Sequence, residues 1–236
     1  MAVALDNVAS ISGDAILSLT TASFDITSAA NRAGALCFTM NTPSGTGFAG
    51  DIGATGGTLV TGTDQSSATN RSMVFGVTAP PSGSQTATFS WSSPNAKAVL
   101  GVVTASAVDQ TTPFNNGTSA TGTATPASLA ITSTSGDLTV DTVGLEGPAT
   151  TDISSPTQTQ KWDLDLSGIY SGAGSTGPGT GTATHQWTVT TGGALTWVQS
   201  GANFVQAVLA VTIAGTATLI FSALVADTAG YLTQEV

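Results

Sequence analysis

Charge is scarce in this chain. Only 8% of its 236 residues are Asp, Glu, Lys or Arg, where soluble domains ordinarily carry about a quarter. Four cations, Arg32, Arg71, Lys97 and Lys161, stand against fourteen acids, giving a formal net charge of −10. Cations so few and scattered cannot line a phosphate backbone or an anionic lipid surface, so neither nucleic acid nor membrane is an expected partner. Acidity of this kind acts through solubility and self-repulsion. The lone cysteine, Cys37, excludes an internal disulfide, and its setting in Ala35-Leu36-Cys37-Phe38 reads as a buried, inert thiol. One histidine and one cysteine are too few for an ordinary zinc site, and no cofactor is expected. The opening MAVALDNVASISGD has neither a basic segment nor a long apolar one, so it does not read as a secretory signal. Nor does any segment sustain a 3.6-residue amphipathic stripe for three turns; the nearest is Leu219–Ala229.

In place of charge the chain has Thr, Ser, Gly and Ala, which favour extended chain, turns and close backbone contact. Short apolar runs recur, among them Ala35–Met40, Met73–Thr78, Thr86–Trp91, Ala98–Val108, Leu138–Leu145, Thr182–Val189 and Asn203–Ile213. Turn clusters such as Pro80-Pro81-Ser82-Gly83, Asn116-Gly117, Gly136-Asp137 and Gly172–Gly181 separate them. The fold class this predicts is all-β, an antiparallel, jelly-roll-like β-sandwich over 1–214 with an arm or extra edge element over 215–236. The uncharged window Phe204–Ala226 is long enough to span a bilayer, but its polar residues and alternating Val205, Ala207, Leu209, Val211 and Ile213 read as strands joined at Gly215. A faint internal echo accompanies the pattern. Thr86-Ala87-Thr88-Phe89-Ser90-Trp91 precedes a long apolar strand, and so does Thr182-Ala183-Thr184-His185-Gln186-Trp187.

An ordered set of landmarks carries a resemblance. These are the early strand Ala33–Met40, the segment Val74–Thr88, Val108-Asp109-Gln110-Thr111-Thr112-Pro113, Ser135–Asp141, Gln160-Lys161-Trp162 and the glycine stretch Gly172–Gly179. Over roughly Ala15 to Ala214 the chain resembles a jelly-roll-like β-sandwich domain that recurs in tailed-phage virion proteins and bacterial surface proteins. The resemblance implies a non-enzymatic structural role: bacteriophage capsid decoration, a cement protein, or a projecting part of the particle. The partners it implies are copies of the chain and other virion proteins, in a virion assembled in a host cytoplasm and released by lysis. The alternative is a lectin-like module on an extracellular surface, with surface glycans as partners. The apolar segment after Ala214 is either an arm onto a neighbouring subunit, with Leu219, Ile220, Phe221, Leu224 and Tyr231 as contacts, or an edge strand of its own sheet.

Chemical motifs are few. Two GxGxxG spellings, at glycines 45, 47 and 50 and at 172, 174 and 177, open no helix and read as glycine loops. His185 shares a strand face with Trp187, and without a G-x-S-x-G elbow it reads as structural. The pairs Asp137/Asp141, Glu146/Asp152 and Asp163/Asp165 have the composition of glycosidase or calcium sites, and a solvated strand face is the simpler reading of the last. Trp91 and Trp187 fall in apolar strands and read as core, whereas Trp162 and Trp197, nearer polar turns, are the candidates for an exposed glycan platform. Asp109 reads as turn chemistry. The sequons at Asn70 and Asn116 carry little weight without an export signal.

Overall fold

A computed structural model describes residues 1–92, 96–146, 149–153, 158–166, 168–191 and 196–208, and every regular element among them is a strand. The first half holds β1 (Ala4–Ile16), β2 (Ser18–Thr20), β3 (Phe24–Ile26), β4 (Ala33–Met40), β5 (Ala49–Ile52) and β6 (Thr55–Gly56). It continues with β7 (Thr58–Leu59), β8 (Gln65–Ser66), β9 (Arg71–Thr78), β10 (Gly83–Gln85), β11 (Ala87–Ser90) and β12 (Ala96–Ser106). The second half holds β13 (Phe114–Gly122), β14 (Ala127–Thr132), β15 (Leu138–Glu146), β16 (Ala149–Ile153), β17 (Thr159–Leu166), β18 (Tyr170–Pro178), β19 (Thr182–Thr191) and β20 (Trp197–Phe204).

The strands divide into two sandwiches, where one is expected over 1–214. In the first, an inner sheet β1-β12-β4-β9-β7 faces an outer sheet β2-β11-β5-β6. In the second, an inner sheet β13-β20-β15-β18-β17 faces an outer sheet β14-β19-β16. The two halves repeat one strand order. In each, the opening strand pairs with the closing one, β1 with β12 and β13 with β20. The closing strand then pairs with β4 or β15, and that strand with β9 or β18. The outer sheets match as well, β2-β11-β5 against β14-β19-β16.

The inner sheets lie back to back, so these four sheets stack with three apolar layers; a fifth, two-stranded sheet, β10-β3, adds Phe24 and Ile26 to the first layer, and β8 pairs with β9. Alternation along each inner strand assigns side chains to layers, since successive residues point to opposite faces. On β4, Leu36, Phe38 and Met40 point to the outer sheet, while Ala33, Ala35 and Cys37 point to the other sandwich. On β20, Ala202 and Phe204 join that shared layer, and Trp197 faces β19. Polar bonds also cross between the halves. The hydroxyls of Ser72 and Ser200 lie 2.6 Å apart, Ser200 Oγ donates to Thr63 O at 2.5 Å, and Asn70 Nδ2 donates to Thr196 O at 2.9 Å.

The central layer explains a misread segment. Gly172–Gly181 looks like a glycine loop, yet most of it is β18, buried between β15 and β17. Its glycines serve close approach. A Cβ on Gly174 would enter the indole of Trp162, and so would one on Gly101 across the layer. Trp162 is therefore a core residue, 4% exposed, and Trp197 is 6% exposed with Nε1 donating to Ala124 O at 2.7 Å. The exposed tryptophan platform is corrected by this burial. The expected strand Asn203–Ile213 is corrected over 205–208: β20 stops at Phe204, and the chain leaves it through a bridge between Val108 and Gln206, while 209–213 lie outside the described residues. The assembly candidates Leu219, Ile220, Phe221, Leu224 and Tyr231, with the whole of 215–236, lie outside the described residues.

Gly174→Val is expected to lower the unfolding free energy by about 1–3 kcal/mol, the usual range for overpacking a filled core. Urea denaturation measures it. Adding Trp162→Ala to Gly174→Val is expected to give a loss smaller than the sum of the two single losses, because the variants share one contact.

Candidate functional site

The densest chemistry lies between the two sheets of the second sandwich. Thr139 and Asp141 are two apart on β15 and point to the outer sheet; Ser175 on β18 stands opposite Asp141 in register. His185 and Trp187, also two apart on β19, point inward onto them, and Gln199 comes from β20. Gly201, the β20 partner of Asp141, leaves room for Ile131 and Leu129 of β14, which a Cβ there would strike.

Asp141 collects five donors. Oδ1 accepts from Ser175 N at 3.1 Å, from the Ser175 hydroxyl and from His185 Nδ1 at 3.0 Å. Oδ2 accepts from Trp187 Nε1 and Gln199 Nε2, each at 2.7 Å. His185 Nε2 lies 2.8 Å from Thr139 Oγ1, whose own hydrogen goes to Gly177 O at 2.8 Å. The imidazole is thus held between Asp141 and Ser175 at one nitrogen and Thr139 at the other, a buried histidine–carboxylate pair with His185 1% exposed and Asp141 fully enclosed.

Burial alone would raise the Asp141 carboxyl. The charge of His185 and the hydrogen bonds from His185, Ser175 and Trp187 outweigh it and hold the group below its ordinary value. Burial, reinforced by the charge of Asp141, pushes the Cys37 thiol well up, in keeping with an inert side chain.

The order Thr139–His185–Asp141 imitates a nucleophile, a base and its orienter, with Ser175 as a second hydroxyl. The imitation ends there. A catalytic hydroxyl must reach a substrate carbonyl, yet all four side chains are buried, and the clefts at Thr58, at Met1 and at Ser135 are lined by other residues. The cluster fastens the outer sheet to the inner one. The spelling of the sequence hid it, because its members come from four strands and no elbow motif brings them together. The one available signal was a lone polar His facing the same side as a core Trp.

The other candidates separate. Asp137, 7% exposed, accepts from Thr134 N, Asn203 Nδ2 and Gln206 N, which ties the end of β20 to the turn before β15. Asp165 accepts from Gly168 N and Ser171 Oγ, and both it and Asp163 are exposed. The side chain of Asp152 lies outside the described residues. Among the described residues no three His, Cys, Asp or Glu side chains converge as metal ligands, and no helix is long and apolar enough to cross a membrane. Asp109 Oδ1 accepts from Thr111 N and Thr112 N, each at 2.8 Å, which is turn chemistry. Asn70 is fully buried, so its sequon is closed to modification in the folded chain. Three cations are engaged within the chain. Arg71 forks onto Asp64, Arg32 donates to Pro80 O and Ala29 O, and Lys97 pairs with Asp14. Comparison with protein families, curated proteins and solved structures finds no match to this chain.

Asp141→Asn is expected to destabilise the chain by about 3 kcal/mol or more, the scale for breaking a buried pair and leaving one partner uncompensated. Thermal melts followed by near-ultraviolet circular dichroism check it. The acid response gives a second test. The folded carboxyl lies below its ordinary value of 3.8, so its contribution is complete above that pH and fades as pH falls further. Below that value, the melting temperature is expected to fall more steeply in the wild type than in Asp141→Asn.

Proposed function

We propose that this chain is a structural subunit of an assembly, acting through subunit contacts rather than catalysis. The observation that carries the reading is the convergence of apolar groups at one end of the stack. Ala207 N donates to Ala107 O and Ala107 N to Ala30 O, which brings the end of the second half against the linker and the first half. There Met1, Ala29, Ala30, Ala107 and Ala207 line an apolar hollow of about 310 Å³. Met1 is 73% exposed and Val208 84% exposed beside it. Apolar groups displayed together in this way mark contact surfaces. The occupant we assign to the hollow is the apolar stretch after Val208, contributed by a neighbouring copy, because that stretch begins at the rim and carries no charge as far as Ala226.

A virion decoration or cement protein is the form of subunit that the sequence resemblance favours. The repeated strand order supports reading each half as a jelly-roll-like unit. A rigid four-sheet block with its polar chemistry sealed inside suits a part that bridges subunits by shape and burial.

Sedimentation of the full chain tests the contact. The full chain is expected to self-associate at high micromolar concentration, and Val208→Asp or truncation after Val208 is expected to leave monomers. A monomeric full chain, or association unchanged by either variant, overturns the hollow as an interface. Mass spectrometry of purified particles from the source tests the virion assignment separately: absence of the chain from them counts against it.

A further inference from the structure

A second cleft, of about 420 Å³, opens where the two sandwiches meet, away from the buried Asp141 cluster and from the apolar hollow. One wall is β7 and the turn after it, with Thr58 and Thr61; another is Thr78 at the end of β9; a third is the start of β13, with Asn115 and Asn116. All five side chains are exposed, and none makes a hydrogen bond to the protein among the described residues. No charged residue lines the cleft.

Its apolar part is small and fixed. The Phe114 ring lies against the Cα of Gly76, where a Cβ would strike it, and its centroid is 4.8 Å from that of Phe204. Leu59, 42% exposed, adds an aliphatic edge. The walls are held by direct backbone contact. A Cβ on Gly62 would meet the carbonyl of Gly117, and one on Gly117 would meet that of Thr61. Asn116 is held at a φ of 49°, a left-handed conformation that non-glycine residues adopt at a cost and that concentrates at ligand clamps.

We propose that this cleft binds a short neutral oligosaccharide. Hydroxyls and carboxamides both donate and accept, which suits the alternating donors and acceptors of a sugar ring. The exposed parts of Phe114 and Leu59 offer apolar surface to the C–H face of the ring. An uncharged lining in a chain of net charge −10 selects against sialylated and sulfated sugars, which would be repelled without a compensating cation. A cleft set by glycine-to-glycine contact is formed before the ligand arrives, so little ordering cost opposes binding. The inference goes beyond the assembly reading and does not depend on it. It also places saccharide binding away from Trp162 and Trp197, which are buried.

The labelled full chain is applied to an array of neutral, sialylated and sulfated oligosaccharides, and a retained neutral glycan is carried to titration calorimetry. Asn115→Ala and Thr78→Ala, which touch no core contact, are each expected to weaken binding roughly three- to tenfold, as the loss of one hydrogen bond would. Thr78→Trp, which fills the cleft, is expected to abolish binding with the melting temperature unchanged, and Thr20→Ala on the outer sheet to leave affinity as it was. Retention of charged glycans alone, of peptides but no glycan, of no probe, or of a neutral glycan with equal affinity for wild type and all three cleft variants overturns the proposal. None of these outcomes bears on sedimentation at the apolar hollow, so the two readings fail separately.

Discussion

Everything in this molecule depends on two inner sheets whose central strands, β4, β9, β12, β15, β18 and β20, are buried on both faces. Strands sandwiched between neighbours offer little face to water, so their residues are mostly apolar or small, or polar with partners inside the protein. That constraint accounts for the composition. The strands β4, β18 and β20 carry no charged side chain, and Gly, Ala, Ser and Thr are frequent in them, because three stacked layers need side chains small enough for the sheets to close; the charges of the inner sheets sit on the edge strands β1 and β17, near strand ends, or, as Asp141, inside a bonded cluster. Where one large ring enters, as Trp162 does, the neighbouring strand supplies Gly174 and the facing sheet Gly101 to receive it.

The duplicated strand order invites comparison of equivalent positions, and the two halves solve one packing problem with different chemistry. In the first, Phe89 on β11 stacks on Phe38 of β4, with centroids 4.3 Å apart, and Trp91 lies 5.0 Å from Phe38. In the second, the matching β19 carries His185 and Trp187, and β15 answers with Asp141. A ring stack joins outer to inner sheet in one half, and a buried histidine–carboxylate contact joins them in the other. The tryptophan is kept in both. Aromatic packing tolerates small displacements, whereas directed hydrogen bonds from His185 and Trp187 to one carboxylate tolerate them less, so the second half has its sheets in a more tightly specified register.

The class of the fold was legible in the sequence because short, β-branched apolar runs such as Ala98–Val108 and Leu138–Leu145, bounded by turn residues, read as strands buried on both faces. The echo between Thr86–Trp91 and Thr182–Trp187 was also a true signal, since both are outer-sheet strands followed by an inner one. The strand expected to follow the second member was Gln206–Val211; the inner strand that follows β19 is Trp197–Phe204, and 209–211 lie outside the described residues. Polarity misled there, for Gln199, Ser200 and Asn203 are buried and bonded across layers. Glycine misled at Gly172–Gly179 for a related reason, because a turn former and a residue that clears space for a neighbouring ring are spelled alike. The Asp141 cluster was beyond reach, since which acid meets the only histidine is decided by pairing between strands distant in sequence.

Met1, the linker at Ala107 and the chain at Val208 meet at one pole of the stack, and this has a mechanical consequence. The first and last described strands belong to different inner sheets, so tension drawn between residues 1 and 208 would begin at that pole and peel the central layer open one row at a time. A body that held both ends together would cancel that tension within itself. The block would then carry no load across its central layer.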